Sequence, residues 1–424
     1  MAESDAGVPL RSPGAGPRDL TGATLKELYQ DLHAHPELAF QEHRTAAIVV
    51  QRMRALGLPV VEGIGGTGVA AVLANGAGPT VWLRADMDGL PVRELTGLAY
   101  ASTAVATNAE GVETPVMHAC GHDMHVTWLV GAMEQLAAHR DGWSGTVVAV
   151  FQPAEESIAG ARAMVDNGIL TRIPRPDVVL GQHVGPLPAG VVSLTSGVVM
   201  AAADDMAVVM HGQGGHGSSP ERTIDPVLAA ASTVVRLQGI VSREVTPGEL
   251  AVVTVGSLQA GTKSNIIPGD ASLGINIRTV ETSTRERVLA SVERIVRAEA
   301  AASGMTTEPD VTLLMSAPAT VNDVDATELL RGRFVDAFGP AAVIDYGTIS
   351  GSEDVSVLST AAGVPLVFWF TGGADPVAFA TAAAAGRVLQ DIPSNHSPHF
   401  APVLEPTLQR GTDALVVAAR TFLD

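Results

Sequence analysis

Apolar residues recur along the chain with two different periods, and each period predicts a different kind of element. Spacings of three and four residues predict amphipathic helices around residues 25–32 and 48–56. Short apolar runs separated by helical segments predict strands that are buried on both faces and joined by parallel crossovers. These runs are VAAVLA (69–74), TVWLRA (80–85), TVVAVF (146–151), DVVLGQHV (177–184) and PLVFWF (365–370). The pattern predicts an α/β fold, with a three-layer main domain around a mostly parallel sheet.

Between residues 198 and 312 the pattern changes to longer strands and two longer helices. Their order is strand, helix, two strands, helix and strand, which is the β-α-β-β-α-β order of ferredoxin-like α+β domains. The α/β pattern resumes after this insert. The sequence therefore predicts a discontinuous main domain of residues 21–197 and 313–424, an inserted ferredoxin-like domain of residues 198–312, and a disordered arm rich in Gly, Pro and Ala over residues 1–20.

Composition and charge exclude several classes of function. The net charge of -19 argues against a nucleic-acid-binding protein, because nucleic acid selects basic surfaces. A single cysteine excludes an internal disulfide and permits a reducing compartment. No apolar run is long enough for a signal peptide or a membrane span. The sequence predicts a soluble cytoplasmic protein whose partner is neither nucleic acid nor a membrane.

Several of the predicted strands end on side chains that can carry chemistry. The strand at 80–85 runs into Asp86 and Asp88, the strand at 146–151 leads into Glu155 and Glu156, and the strand at 177–184 reaches His183. Ligands of open α/β sheets bind beyond the carboxyl ends of the strands. We therefore expect these side chains to meet at one edge of the sheet.

The stretch MHACGHDMHV (117–126) contains the only cysteine. If it is extended, Cys120 and His122 point to the same face, where thiolate and imidazole suit zinc and related transition metals. The alternative is a buried cysteine beside a capping histidine, which is the commoner situation for an isolated pair of this kind. The lack of a second cysteine excludes a structural zinc ribbon.

Two adjacent carboxylates, Glu155 and Glu156, follow an apolar strand and a proline. Adjacent acids are usually solvated, but at the mouth of a sheet one can bind a metal while the other, with a raised pKa, accepts a proton. His183 and His396 could add imidazole ligands, although each alone is more often an ordinary hydrogen-bonded residue. His396 lies in the loop SNHSPHF and would bring the C-terminal segment back to the site.

The insert contributes three further candidates. His216 lies in the glycine-rich loop GQGGHGSSP, where it could reach across a cleft or simply be solvated. Asn265 lies in SNIIP, and Arg278 lies within an apolar strand. A charge in such a strand is costly unless it is paired. A substrate carboxylate or an Asp or Glu of this chain would pair Arg278 equally well.

Taken together, the motifs resemble the aminoacylase/carboxypeptidase-type metallopeptidase family. The resemblance is closest to the branch of hippurate hydrolases, N-acyl-amino-acid amidohydrolases and plant auxin-conjugate hydrolases, and it spans nearly the whole chain after the arm. The motifs that carry it are DLHAHPELAFQE (31–42), LRADMDGLPVRE (83–94), MHACGHD (117–123), FQPAEE (151–156), GQHVGPLPAG (181–190), GGHGSSPERTIDP (214–226), SNIIPG (264–269), SGSEDVS (350–356) and NHSPHF (395–400).

The resemblance implies a site with two divalent metal ions, zinc or manganese, with cobalt or nickel as further possibilities. Cys120 would bridge the metals, in the place that an aspartate fills elsewhere in the family. Glu155 would be the general base, and His216 would reach the oxyanion from a partner subunit. Asn265 and Arg278 would hold the substrate carbonyl and carboxylate, and the insert would be a lid that forms a homodimer. The other implied metal ligands are His122, Glu156, His183 and His396.

The resulting prediction is hydrolysis of N-acyl amino acids to a carboxylate and a free amino acid, by a metal-bound hydroxide that Glu155 activates. An exopeptidase, a dipeptidase or a deacetylase of an amino-acid precursor could use the same residues. A thiol hydrolase, with Cys120 paired to His118 or His122, is a mechanistically different alternative. A non-catalytic binding protein is disfavoured because the general base is present.

Overall fold

The computed structural model describes residues 20–423. The arm predicted for residues 1–20 lies outside the described residues except for Leu20, which is buried. The strands are β1 (Val60–Ile64), β2 (Gly68–Asn75), β3 (Thr80–Asp86), β4 (Val105–Thr107), β5 (Glu113–Pro115), β6 (Gly145–Gln152), β7 (Val178–Pro188), β8 (Val192–Ser193), β9 (Gly197–Met200), β10 (Ala202–His211), β11 (Gly215–His216), β12 (Ala251–Ala260), β13 (Ile266–Ile267), β14 (Asp270–Thr279), β15 (Asp310–Ala317), β16 (Thr320–Asn322), β17 (Val343–Ile344) and β18 (Leu366–Ala374). The α-helices are α1 (Leu25–Ala34), α2 (His43–Ala55), α3 (His122–Ala138), α4 (Gly160–Asp166), α5 (Ile169–Arg172), α6 (Pro226–Leu237), α7 (Gly239–Arg243), α8 (Thr282–Ala302), α9 (Val324–Phe338), α10 (Ser356–Ala362), α11 (Pro376–Ala384), α12 (Val388–Asp391) and α13 (Leu404–Leu423).

The large sheet has the strand order β1-β2-β6-β3-β7-β18-β8-β17. Its centre is parallel, because β3 pairs in parallel with β6 and β7, and β18 pairs in parallel with β7. The predicted α/β class with a mostly parallel sheet is confirmed. The prediction of parallel crossovers is wrong for β2, which is antiparallel to both β1 and β6. A short turn over residues 76–79 reverses the chain between β2 and β3, and β6 inserts between them parallel to β3.

Helices cover both faces of the large sheet and form the three predicted layers. The residues of α1, α2, α3, α9 and α13 pack in one apolar core, and those of α4, α5 and α10 pack in another on the opposite face. Helix α3 is buried along most of its length because it lies beneath α1 and α13. Gly411 of α13 allows this close approach, since a Cβ there would lie 2.1 Å from the Trp128 ring.

The small sheet is antiparallel, with the order β12-β14-β10-β15, and α6, α7 and α8 pack on one of its faces. The element order β10-α6-β12-β14-α8-β15 agrees with the predicted β-α-β-β-α-β order. Side chains alternate along β14, so Ile275 and Ile277 enter the core while Asn276 and Arg278 face the other side. Strand β15 continues to Ala317, past the predicted boundary at 312, and the domain boundaries remain a prediction.

The helices within residues 20–423 were compared with the length and hydropathy that a membrane span requires. None of these helices is long and apolar enough to cross a bilayer.

Candidate active site

Cys120 and His122 converge by a different route from the one predicted. The segment is not extended: Cys120 lies in a turn, and His122 is the first residue of α3. Gly121 between them has a φ of 84°, and a Cβ on it would lie 2.4 Å from Val184 Cγ1. Only glycine fits this position, where the chain turns tightly against β7.

Cys120, His122 and Glu156 form a group whose potential ligand atoms all lie within 4.8 Å of one another. The Nε2 atom of His122 lies 3.8 Å from Oε1 of Glu156. Both atoms are buried, and neither has a hydrogen-bond partner among residues 20–423. Buried polar atoms almost always have a partner, so this pair fits a site at which a metal ion supplies the interaction.

A second carboxylate, Asp88, orients His122. Its Oδ1 atom lies 3.2 Å from His122 Nδ1, and its two oxygens accept hydrogen bonds from the backbone N–H groups of Glu155 and Glu156. Burial lowers the pKa of His122, but the carboxylates of Asp86 and Asp88 outweigh burial and raise it to about 10. Asp88 thus orients the ring through Nδ1, and a metal ion held by His122 would take the place of the proton on the other ring nitrogen.

His183 reaches the same group from β7. Its Nε2 atom lies 3.4 Å from Cys120 Sγ, and its Nδ1–H donates to the Val184 carbonyl at 2.7 Å. This hydrogen bond leaves the lone pair of Nε2 directed at Cys120. Burial and the neighbouring His125 ring hold the pKa of His183 well below its usual value, so the imidazole is neutral, as a metal ligand must be.

His396 completes the group from the C-terminal loop. Its Nε2 atom lies 3.3 Å from Oε2 of Glu156, and its backbone N–H donates to the Ala119 carbonyl at 2.8 Å. The neighbouring Asn395 donates to the carbonyls of Cys120 and Val184, both at 3.1 Å. The C-terminal segment thus returns to the site, and the five predicted ligands are brought together with Cys120 and Glu156 at the centre.

Glu155 is buried beside this group, with its Oε2 atom 3.9 Å from His122 Nε2. The carboxylates of Glu155, Glu353 and Asp354 lie within 4.8 Å of one another. Burial, followed by the charges of Glu353 and Glu156, raises the pKa of Glu155 well above its usual range. A carboxyl group in such surroundings is suited to accept and return a proton.

Arg84 compensates for these buried carboxylates, and we did not predict its role from the sequence. Its guanidinium donates to Asp86 at 2.7 Å, to Glu353 at 2.7 and 3.1 Å and to Asp354 at 3.3 Å. Asp86 also lies 2.5 Å from His125 Nδ1. A charged residue inside the apolar strand that precedes Asp86 was a signal that Arg84 has buried carboxylate partners. The sequence could not identify these partners, because Glu353 lies 269 positions further along the chain.

A cavity of about 600 Å³ opens over the ligand group, between the two sheets. Arg278 lines it from β14 and donates to Ser352 Oγ at 2.6 Å and to Asn276 Oδ1 at 3.1 Å. Within the described part of the chain Arg278 forms no ion pair with a carboxylate. The alternative that an Asp or Glu of this chain pairs it is therefore not observed, and the guanidinium faces the same cavity as Glu155.

His216 and Asn265 do not line this cavity. Both are exposed. His216 is the last residue of β11, Asn265 directly precedes β13, and the Gly217 N–H donates to the Asn265 carbonyl at 2.9 Å. The His216 Nδ1 atom accepts from the Ser218 backbone at 3.1 Å. The structure therefore places these two predicted residues together, on a surface outside the cavity of their own chain.

The environment of Cys120 does not suit a nucleophile. Burial, followed by the charges of Glu156 and Glu155, raises the pKa of the thiol well above its usual value. A reactive cysteine needs neighbours that stabilise the thiolate, but here burial and the carboxylates outweigh the nearby His122, and the nearest imidazole, His183, is neutral. Within residues 20–423 neither His118 nor the Nε2 atom of His122 has a hydrogen-bond partner, and His122 Nδ1 lies against Asp88, so neither histidine is bonded to the thiol. The thiol hydrolase is therefore disfavoured.

A buried ion-pair network around His33 supports two of the ligand segments and was also missed. His33 Nδ1 lies 2.6 Å from Asp123, the residue after His122, and Nε2 lies 3.0 Å from Glu94. The next residue, Leu95, donates its N–H to the carbonyl of Pro398 at 2.8 Å, in the loop that carries His396. His33 thus connects the start of α3 to the C-terminal loop.

We expect His33→Gln to lower the free energy of unfolding by about 3–5 kcal/mol at pH 7, because it removes the cation between two buried carboxylates. Burial lowers the pKa of His33, but Asp123 and Glu94 raise it to about 10. The imidazolium therefore stabilises fully below pH about 6.5, and its contribution declines as the pH rises and is lost above about 10. Urea unfolding at pH 6, 8 and 10 should show that the difference in free energy of unfolding between wild type and the variant decreases as the pH rises. A difference that does not change with pH would contradict a stabilising imidazolium at His33.

With this geometry established, comparison with known proteins identifies the family. A family model described as Peptidase family M20/M25/M40 matches residues 82–388. The hippurate hydrolase of Campylobacter jejuni is 38% identical over 339 residues, which cover 79% of this chain and 85% of that protein. Thermostable carboxypeptidase 2 of Saccharolobus solfataricus is 34% identical over 352 residues, which cover 82% of this chain and 85% of that protein.

Among solved structures, the Bacillus subtilis YXEP protein is described as a dinuclear metal binding peptidase from the M20 family. It superposes with a TM-score of 0.74 at 27% identity, covering 94% of this chain and 97% of that one. Both the sequence match and the fold extend over most of the chain. The chain therefore belongs to peptidase family M20/M25/M40, and it is a hydrolase of the amidohydrolase type.

Proposed function

We propose that the protein hydrolyses the amide bond of N-acyl amino acids and releases a carboxylate and a free amino acid. One observation carries the proposal: a single cavity contains both the buried Glu155 beside the ligand group and the guanidinium of Arg278, which forms no ion pair with a carboxylate of residues 20–423. Glu155 beside the ligand group suits the hydrolysis of an amide. The guanidinium of Arg278 suits a substrate that ends in a carboxylate. The hippurate hydrolase among the relatives supports this substrate class.

We propose two divalent metal ions as cofactors, zinc or manganese, held by Cys120 and Glu156 at the centre with His122, His183 and His396 around them. Cobalt and nickel suit the same ligand types. When bound, such ions lower the pKa of water and polarise a carbonyl oxygen. The orphaned atoms of His122 and Glu156 are the observation that supports metal at this position.

Glu155 performs the proton transfers in this proposal. Its carboxylate accepts a proton from the attacking water as the new C–O bond forms, and it returns that proton to the amine nitrogen as the C–N bond breaks. Burial raises the pKa of this carboxyl group, so it accepts the proton more readily than an ordinary glutamate and holds it until the amine nitrogen takes it. Arg278 holds the substrate carboxylate and so places the amide over Glu155.

We further propose that the protein is a cytoplasmic homodimer formed through the inserted domain of residues 198–312. His216 and Asn265 would then reach the oxyanion and the carbonyl in the partner's cavity. Their exposure, outside the cavity of their own chain, supports this arrangement.

Mixing two inactive variants tests the shared site. Glu155→Gln and His216→Ala homodimers should both be inactive, but subunit exchange should restore about a quarter of the wild-type activity, because half the dimers then have one intact site. Activity would be measured after refolding an equimolar mixture, with each variant refolded alone as the control. A mixture that stays inactive, although mass spectrometry shows heterodimers, would place His216 in its own chain's site or outside catalysis.

An exopeptidase or dipeptidase activity is the second candidate, and the relative named thermostable carboxypeptidase favours it. A peptide with a free C-terminal carboxylate would use Arg278 and Glu155 in the same way. Deacetylation of an amino-acid precursor is a variant of the same chemistry. The leaving group and the acyl group distinguish these activities.

A substrate panel on chelator-treated protein tests the proposal. N-acetyl and N-benzoyl amino acids, the corresponding amino-acid amides and dipeptides would be incubated with and without added manganese or zinc. We expect metal to restore release of the amino acid, and the amides, which lack the carboxylate, to be cleaved poorly. Release of amino acids only from dipeptides would favour the exopeptidase, and release that is indifferent to chelation would contradict the metal-dependent mechanism.

A further inference from the structure

A second cavity of about 690 Å³ adjoins the active-site cavity. The two cavities share Ile158 and Met315 as lining residues. Ile158 follows Glu155 and Glu156 in the loop after β6, and Met315 lies on β15 of the small sheet. The second cavity therefore begins beside the reacting groups and extends between α10 of the large-sheet unit and β15 of the small-sheet unit.

The partition between the cavities has two unusual features. Ile158 has a φ of 52°, a left-handed conformation that is unfavourable for a β-branched side chain, and its N–H donates to the Glu155 carbonyl at 2.6 Å. The surrounding turn holds this conformation, and strain of this kind concentrates at ligand sites. Met315 on the other side is an unbranched, adaptable side chain. The boundary between the two cavities thus has a fixed backbone at Ile158 and an adaptable side chain at Met315.

None of the residues that line the second cavity is a histidine, a cysteine or a carboxylate, in contrast to the first cavity. Apolar side chains form much of the wall of the second cavity, and three hydroxyl groups interrupt it. The apolar residues include Leu314, Pro318, Val357 and Ala361, and the hydroxyl groups are those of Ser157, Ser316 and Thr360. The guanidinium of Arg285, which also lines it, is already held by both carboxylate oxygens of the buried Asp204, at 2.6 and 2.7 Å. The remaining cation, Arg162, has a side chain that is 65% exposed. The cavity therefore suits an uncharged group that is largely apolar, and its volume lies within the range of about 300–1,000 Å³ typical of small-molecule sites.

We propose that this second cavity is the acyl subsite and that the enzyme prefers N-acyl amino acids with a medium-length apolar acyl chain over N-acetyl amino acids. The inference rests on the proposed function. The carboxylate of the amino-acid half is held by Arg278 in the first cavity, so the half on the other side of the scissile amide extends past Ile158 and Met315. An acetyl group ends before the second cavity, whereas an octanoyl chain enters it.

The test compares kcat/KM for N-octanoyl- and N-acetyl-glycine on manganese-loaded protein. Wild type should prefer the octanoyl substrate by about tenfold or more, in line with the burial of several methylene groups. Ala361→Trp and Leu314→Trp narrow the cavity from opposite walls, and each should lower this preference by about tenfold. Leu314 is exposed, so Leu314→Trp should fold normally and keeps the test valid if Ala361→Trp does not fold. Ala384→Trp, at an exposed alanine of α11, is the matched control and should keep the wild-type preference.

Each other outcome overturns the inference in a distinct way. Equal kcat/KM for both acyl groups, or the same preference in all four proteins, would show that the cavity does not receive the acyl chain. If Ala361→Trp instead changed the ratio of kcat/KM for N-acetyl-leucine to that for N-acetyl-glycine, the cavity would bind the amino-acid side chain and not the acyl chain. Failure to cleave any N-acyl amino acid with the metal bound would refute the proposed function, and the acyl subsite with it.

Discussion

Replacing Glu155 with glutamine is expected to lower kcat for an N-acyl amino acid by about 10²–10⁴-fold while the bound metal stays in place. Glutamine keeps the shape of the side chain but cannot accept a proton. Glu155 lies beside the ligand group, with its carboxylate 3.9 Å from His122 Nε2, and the proposed metal ligand is its neighbour, Glu156. The measurement combines steady-state kinetics with metal analysis of the same protein preparation.

Glu134→Gln is the matched control for this variant. Glu134 lies on α3, is partly exposed and pairs with Arg52 of α2, and neither residue lines the cavity. The control changes the same atoms and should keep wild-type kcat. If Glu155→Gln retained more than about a tenth of the wild-type kcat, Glu155 would not be the general base, since even weak general-base catalysis raises the rate about 10²-fold.

Cys120→Ala is expected to lower metal affinity by about a hundredfold or more and to abolish activity at ordinary metal concentrations. Loss of an outer-sphere partner alone costs about 10–100-fold, and Cys120 contacts the proposed ligands directly. Titration of the apo protein with manganese or zinc, followed by activity at each point, measures the effect.

Cys120→Asp separates a ligand from a nucleophile. A carboxylate can bind the same metals, so this variant should recover part of the metal affinity and part of the activity that Cys120→Ala loses. A thiol nucleophile would not be replaced by aspartate, and its activity would survive chelation but not alkylation. Full metal content and activity in Cys120→Ala would exclude both roles for the thiol.

The apolar runs predicted the centre of the fold well because its strands are buried on both faces. The five predicted runs correspond to β2, β3, β6, β7 and β18, which lie side by side in the large sheet. The direction of β2 was not predictable from its composition, since an antiparallel strand that is covered on both faces has the same apolar run. The short strands β8 and β17 were also missed, because two residues carry no periodic pattern.

The candidate site shows the same division between local and long-range information. Glu155 and Glu156 were visible in the sequence because they follow a strand directly. The turn at Cys120 was not, because it depends on the contact of Gly121 with Val184, a residue of another strand. The networks of Arg84 and His33 join residues that are far apart in sequence, and periodicity contains no information about such pairs.

The most direct test of the metal site is X-ray absorption spectroscopy of the zinc-loaded protein at the zinc edge. We expect a sulfur neighbour at about 2.3 Å together with nitrogen and oxygen neighbours at about 2.0–2.2 Å. Cys120 is the only cysteine, so the sulfur signal should disappear in zinc-loaded Cys120→Asp. A wild-type spectrum with only nitrogen and oxygen neighbours, at full zinc occupancy, would contradict a metal-bound Cys120.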